Sequence, residues 1–549
     1  MFFDFQTADE VPGDIDVCIV GAGIAGLVAA RFLQGSGLRV VLLEGGGLQD
    51  EERSQALYET EVEFSRERNT GVTTRFRLYG GNGSRWGGQL VPLSDREMVP
   101  RATIHNAAWP IGAEALSPHI ASVLELLDIA DTFDASCYAL RNRQPLALDA
   151  EVFSLSFSKW LPWRRRNIGR LLRPWLEQDR STFVLLHANA IEILLEPTQH
   201  EVSGIRIRSY DGREMVIAAR FFVLAAGAIE VARLLLCSRA QLACGIGNRH
   251  DLVGRRFMDH TIMRAGYIVP YDRRALLHAV RPFFVGNVLH TPRFELTAEA
   301  QAAHQCLCGY AQIRFDARPG SALTQLLGFL RQYQAEGLRS MLKGPYWAVL
   351  SELPDVFAGF LAHSVLGLRP IPAQSTPTIY ISCEQPPRHG SRISLRDEKD
   401  AIGMPKIAMS WSIGEEEQRT VCVIARLIEE QLRRHRYGTV EWEDFDPRTG
   451  SRPPQLADFY HHLGGTCMSR EPEQGVVDVD CRVHGTRNLY IASGSVFPSS
   501  GASNPTLTIM ALAHRLAQHL ATVAAGSPFL SANSSSCAES RTTVEAIVS

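Results

Sequence analysis

The sequence predicts an α/β fold of more than one domain, and three observations carry that prediction. The chain has 549 residues, more than one hydrophobic core usually encloses. Residues 17–44 follow the order strand, glycine turn, helix, strand. The composition, 45% apolar and 21% charged, is that of an ordinary globular protein.

The first element is the apolar run "VCIV" at 17–20. A G-x-G-x-x-G follows at Gly21, Gly23 and Gly26. Leu27, Ala30 and Leu33 then keep helical spacing, Gly35 and Gly37 suit a helix stop, and Val40–Leu43 make a second strand ending at Glu44. Each glycine has a separate task. Gly21 allows the turn, Gly23 lets backbone approach a pyrophosphate, and Gly26 lets the helix lie close to the sheet. Ile24 and Ala25 begin the helix, whose free N–H groups face the phosphates. Glu44 stands where an acid accepts hydrogen bonds from an adenosine ribose. The motif therefore predicts a Rossmann-like dinucleotide site, and alone it does not separate FAD from NAD.

Further along, "RFRLYGGNGSRWGGQLVPL" (75–93) holds five glycines around Asn82, Ser84 and Trp86. So many glycines imply backbone lying along a flat ligand or turning tightly. "KWLPWRRRNIGRLLRPWLEQDR" (159–180) reads as a helix with a basic solvated face that leads into the strand after it. Residues 321–368 read as amphipathic helices capping a substrate pocket. The serine-rich end, 526–549, reads as a flexible tail.

Other classes fall away. A net charge of −3 gives no nucleic-acid binder. The 11 cysteines form no C-x-x-C pairs, so no metal site is expected. The N-terminus lacks a basic, then apolar, leader, which fits a cytoplasmic setting. No run of about 18–20 uncharged apolar residues suggests a transmembrane span.

Taken in order, these segments resemble the glucose–methanol–choline (GMC) family of flavin oxidoreductases, in particular its bacterial sugar- and cyclitol-oxidising type. "VLLHANAIEIL" (184–194), "FFVLAAGAIEVARLLLCS" (221–238), "LVGRRFMDH" (252–260), "WPIGAEALSPHI" (109–120) and 384–411 are similar to family segments. The closing block "HHLGGTCMSR…NPTLTIMALAHRLAQHL" (461–520) is the strongest match. The resemblance implies a Rossmann-like FAD-binding domain, of the GMC and p-hydroxybenzoate-hydroxylase type, and an α+β substrate domain on an antiparallel sheet. The expected FAD domain is discontinuous, at 1–100, 180–270 and 450–525. The substrate domain takes 101–179 and 271–449.

By the same resemblance, Gly83 and Ser84 lie along the flavin and Ala190 meets the adenine. Gly494 and Thr506 also contact FAD. Arg85 occupies the place where some members attach FAD through a histidine, so binding is expected to be non-covalent. Ser493 stands where many members carry an acid that contacts FAD.

The implied reaction is oxidation of an alcohol on a sugar, glycoside, aminoglycoside or cyclitol. A neutral imidazole suits removal of the hydroxyl proton, and a hydrogen-bond donor holds the oxygen as charge develops. His462, four residues before Thr466, matches the family's His-x-x-Gly-Thr and is the expected base. Hydride passes to flavin N5. An extended strand would then turn His461 away. Asn504 is the expected partner, and preceding Pro505 it also suits a helix N-cap. Glu384 reads as a surface charge. Oxygen, a quinone or a redox protein remain open as electron acceptor. A lyase with structural FAD, an oxidase of sterols or other alcohols, and an NAD-dependent dehydrogenase remain the alternatives.

Overall fold

The computed structural model describes residues 1–9, 11–63, 74–101, 103–104, 108–141, 143–316, 367–371, 375–449, 453 and 456–526. The 321–368 cap helices fall outside the described residues up to 366, as does the tail from 527.

A six-stranded parallel sheet forms one layer. Its order is Phe2–Asp4, Thr182–Leu186, Val40–Leu43, Val17–Val20, Phe221–Leu224 and Leu489–Ile491. Val17–Val20 and Val40–Leu43 are buried along their whole length, as parallel strands covered on both faces must be. Helix Ile24–Leu33 packs against the long helix Thr506–Ala525 and against Ile168–Gln178. The latter buries Ile168, Leu172 and Leu176 and turns Arg170 and Arg173 to solvent, so its basic face is solvated. A separate small antiparallel sheet, Asn189–Leu195, Val202–Arg208 and Glu214–Ile217, contacts helix Gly227–Cys237.

The second layer is a nine-stranded sheet. Its path runs Gly438–Trp442, Thr261–Pro270, Thr376–Cys383, Gly309–Asp316, Val288–Leu296, Phe153–Trp160 and Gln89–Leu90, antiparallel throughout. Helix Glu415–Arg434 covers one face with Val421, Ile424, Ile428 and Leu432.

Several segments, Gln89–Leu90 and Ala457–Asp458 among them, lie in a different layer from the one their place in the chain suggested. Helices Ala113–Leu126 and Ile168–Gln178 join the parallel-sheet side, and strand Thr261–Pro270 runs inside the antiparallel sheet. An amphipathic helix needs only an apolar surface to cover, and either layer offers one. Among the described residues no helix is long and apolar enough to cross a membrane.

Candidate active site

A cavity of about 250 Å³, partly open to solvent, lies at the C-terminal ends of the parallel strands. Three helix N-termini converge on it: Gly23–Ala25, Ala226–Ala228 and Pro505–Thr506 all line its wall. Helices Ile24–Leu33 and Thr506–Ala525 carry no acid in their first turn. Glu230, in the first turn of Gly227–Cys237, is paired with Arg75 at 2.8 Å. Free N–H groups and aligned dipoles therefore face the cavity where a pyrophosphate belongs.

The fingerprint glycines divide their tasks as their spacing predicts. A Cβ on Gly26 would lie 2.0 Å from the Gly21 carbonyl oxygen, so Gly26 serves helix-to-turn packing and does not line the cavity. A Cβ on Gly23 would meet no protein atom and would project into open space. Glu44 lines the wall and accepts from the Ala22 and Gly46 N–H groups at 3.1 and 2.9 Å. Each oxygen keeps a lone pair for ribose hydroxyls. Burial pushes this carboxyl up, against the hydrogen bond from Gly46 and the charge of Arg77. Ala190, Ser493, Gly494 and Thr506 line the cavity. The Ser493 hydroxyl accepts from Ser495 N–H at 3.2 Å.

The 80–84 loop departs from expectation. A Cβ on Gly83 would lie 2.4 Å from the Ile24 side chain, and Ser84 closes its own turn on the Gly81 carbonyl at 2.7 Å. Neither lines the cavity; Gly81 and Asn82 do. Arg85, in the same loop, pairs with Asp50 at the surface.

At the far end of the wall stand Tyr460, His461 and His462. The chain is not an extended strand here. Tyr460 sits in the left-handed region at φ 61°, and Gly464 and Gly465 follow at φ 70° and 97°. A non-glycine residue at such φ stores strain, commonly beside a functional group. This turn breaks the alternation that would have pointed His461 away. His461 Nε2 lies 3.3 Å from Asn504 Nδ2, and its Nδ1 lies 2.9 Å from His260 Nδ1. The His462 ring instead tilts against Phe257, with centroids 5.9 Å apart. Its Nε2 is buried and has no hydrogen-bond partner among the described residues. The expected pairing of His462 with Asn504 is therefore replaced by a pairing of His461 with Asn504. Burial holds His461 well below the usual imidazole range, with His260, His462 and Arg293 adding to the effect, and it takes His462 down to about 3.

Asn504 does not cap the helix after it. The helix starts at Thr506 with no side-chain capping bond. Its amide faces His461 on one side, and on the other Arg293 Nη1 approaches Asn504 Oδ1 at 3.5 Å. Two groups pin the loop that carries it. Glu97 accepts from Ala502 and Ser503 N–H at 2.6 and 2.9 Å, and Arg293 Nη2 donates to the Ala502 carbonyl at 3.1 Å. Burial pushes Glu97 up, but Ser94, Arg96 and Arg293 outweigh it and hold the carboxyl below its usual range. Glu384 is fully buried, not exposed. It forms an ion pair with Arg101 and accepts from Cys308 N–H at 2.8 Å.

Sequence reasoning missed Glu97, His260 and Arg293, along with Arg75 and Arg77, which line the cavity. Arg77 Nε is buried without a hydrogen-bond partner. Arg293 and Glu97 lie in stretches without motif character. His260 ended a segment already singled out, "LVGRRFMDH", and a histidine closing a family-like stretch was the available signal.

Comparisons with known proteins show the family and the fold. Residues 165–262 and 387–513 match the N- and C-terminal profiles of the GMC oxidoreductases, and 16–82 match that of the FAD-dependent oxidoreductases. The 6'''-hydroxyparomomycin C oxidase of Streptomyces lividus is 25% identical over 94% of this chain and 93% of its own length. The fructose dehydrogenase large subunit of Gluconobacter japonicus is 26% identical over 60% of this chain; the match spans about half of that protein, 52%. Formate oxidase shares the fold at a TM-score of 0.54, with 16% identity over 92% of this chain and 98% of its own. Pyridoxine 4-oxidase from Mesorbium loti does so at 0.52, with 15% identity over 92% and 99%. The chain belongs to the GMC oxidoreductase family.

Proposed function

We propose that this protein oxidises an alcohol, on a sugar, glycoside, aminoglycoside or cyclitol, to the carbonyl, with His461 as the base in place of His462. One observation carries the assignment: His461 lines the cavity and its Nε2 lies 3.3 Å from Asn504 Nδ2. A hydroxyl entering between them gives its proton to the imidazole and receives a hydrogen bond from the amide. Burial favours the neutral imidazole, which is the form a base requires. FAD, held non-covalently along the glycine-lined wall, supplies the acceptor for the hydride.

The substrate class follows from two supports. One is the near full-length match to an oxidase named for an aminoglycoside. The other is the sheet face bearing Arg293, which also presents Tyr310, Gln312 and Ser382, all buried. Gln312 Nε2 and Ser382 Oγ have no hydrogen-bond partner among the described residues. Buried polar groups of this kind suit a substrate with several hydroxyls.

The test is anaerobic flavin reduction against sugars, glycosides, aminoglycosides and sterols. The expected result is bleaching by a polyol, lost by at least about a hundredfold in His461→Ala. Retention in His461→Ala with loss in His462→Ala would reverse the assignment. A flavin that no alcohol reduces would end the oxidase reading. Admitting air afterwards separates the acceptors: rapid recovery of the yellow colour marks oxygen, and its absence marks a quinone or redox protein.

A further inference from the structure

The side chains around His461 form a chain of hydrogen bonds whose direction is set at both ends. At one end stands Arg293, fully buried. A guanidinium can only donate, so the Asn504 group that it approaches at 3.5 Å is the amide oxygen. The Asn504 NH2 then points at His461 Nε2, 3.3 Å away, and that nitrogen must present its lone pair. At the other end, His260 Nε2 lies 3.3 Å from the Ser500 carbonyl, which can only accept, so His260 carries its proton on Nε2. A neutral His260 then has a bare Nδ1. His461 Nδ1, 2.9 Å from it, must be the protonated partner. Both ends demand the same tautomer of His461: hydrogen on Nδ1, lone pair on Nε2. Burial, which takes His260 down to about 4, keeps the pair neutral. The two backbones are also tied together, because Asp259 Oδ1 accepts from the N–H of His260 at 2.6 Å and of His461 at 2.8 Å.

We propose that His260 is a positioning residue that accepts a hydrogen bond from His461 Nδ1–H, and so fixes the tautomer and ring plane that turn the Nε2 lone pair toward the substrate hydroxyl. This rests on the assignment of His461 as the base. His260 lies beyond His461 and moves no proton itself; its work is to deny His461 the other tautomer, as carboxylates and carbonyls do behind many functional histidines.

The test compares two polar variants of the holoprotein. His260→Asn places an amide oxygen near the Nδ1 position, and His260→Gln reaches only toward Nε2 and Ser500. In protein labelled with nitrogen-15 histidine, long-range proton–nitrogen spectra read the tautomer without any substrate, with His461 assigned by its disappearance in His461→Ala. Wild type and His260→Asn should show His461 protonated on Nδ1 alone, and His260→Gln a mixture, because the contacts left at the Asn504 end, at 3.3 and 3.5 Å, are long and hold the tautomer less firmly than the 2.9 Å contact to His260. With an alcohol that reduces the wild-type flavin, His260→Asn should react within about threefold of wild type. His260→Gln should lose on the order of 10- to 100-fold, comparable with a metal-bound histidine losing its orienting partner. A single Nδ1–H tautomer in His260→Gln, or equal losses in both variants, would overturn the proposal. A His461→Ala protein that still reduces its flavin would overturn the underlying base assignment, and the two failures are thereby told apart.

Discussion

Arg293 shows how much the site asks of one side chain. It is fully buried, lies over the Tyr310 ring at 3.7 Å, forms an ion pair with Glu295 at 3.3 Å and holds both Asn504 and Ala502. Replacing it with methionine keeps the volume and removes the donors. Glu295 would still be neutralised by Arg96, so the loss should stay below the roughly 3–5 kcal/mol of a stranded buried charge. We expect about 1–3 kcal/mol for the broken charged hydrogen bonds, read by denaturant unfolding. Flavin reduction should fall further than stability alone explains, because the Asn504 amide is then free to flip. An Arg293→Met protein with wild-type reduction would remove Arg293 from the positioning chain. Tyr460 belongs to the same scale: its left-handed φ sets the direction in which His461 leaves the backbone.

At the scale of elements, the glycine turn and helix Ile24–Leu33 decide whether the cofactor wall exists. A methyl group on Gly26 would press on the Gly21 carbonyl at 2.0 Å, and backbone cannot yield as a flexible side chain can. Gly26→Ala should therefore push the helix from the strand end. The expected destabilisation is about 1–3 kcal/mol, typical of overpacking. Flavin content per protein should drop with it, measured by absorbance of the purified protein. Full flavin occupancy with unchanged melting would show that the helix is not held to the turn as tightly as drawn. Helix Thr506–Ala525 works differently. It packs on Ile24–Leu33 and Ala113–Leu126 and so carries the Asn504 loop on the parallel-sheet side, while Arg293 reaches it from the antiparallel sheet.

At the scale of the molecule, the active end sits where the two layers meet, and the buried groups there link stability to pH. Burial raises Asp259 to about 8, with the charge of Asp458 adding. A carboxyl raised from about 4 in the unfolded chain contributes stability that is complete below about pH 4. That stability is lost as pH rises through about 8. His260, lowered by burial to about 4, works in the opposite sense. Its contribution is complete above about pH 6.5 and lost as pH falls through about 4. The two trends oppose each other between about pH 4 and 6.5, and above that the His260 contribution is flat. Melting temperature in the wild type should therefore decline from pH 6.5 to 8, and Asp259→Asn, which keeps the accepting oxygen, should flatten that decline. An unchanged slope in the variant would show that Asp259 is not the group responsible.

The sequence alone determined the parallel βαβ start and the glycine turn after its first strand, and it pointed to Glu44 and the histidine doublet as candidates. These are local properties: a glycine turn, an apolar run and a helix start are written in neighbouring residues. Only the tertiary structure distinguishes the surroundings of the two histidines: His461 meets Asn504 and His260, and His462 packs against Phe257. That difference comes with the left-handed φ of Tyr460 and with partners brought from His260 and Arg293, some 170–200 residues away. The tertiary structure also decided that Gly83 and Ser84 support the wall without lining it, that Glu384 is a buried ion-pair partner, and that strand Thr261–Pro270 serves the antiparallel sheet. Each of these depends on what packs against a residue, and sequence spacing carries no record of distant neighbours.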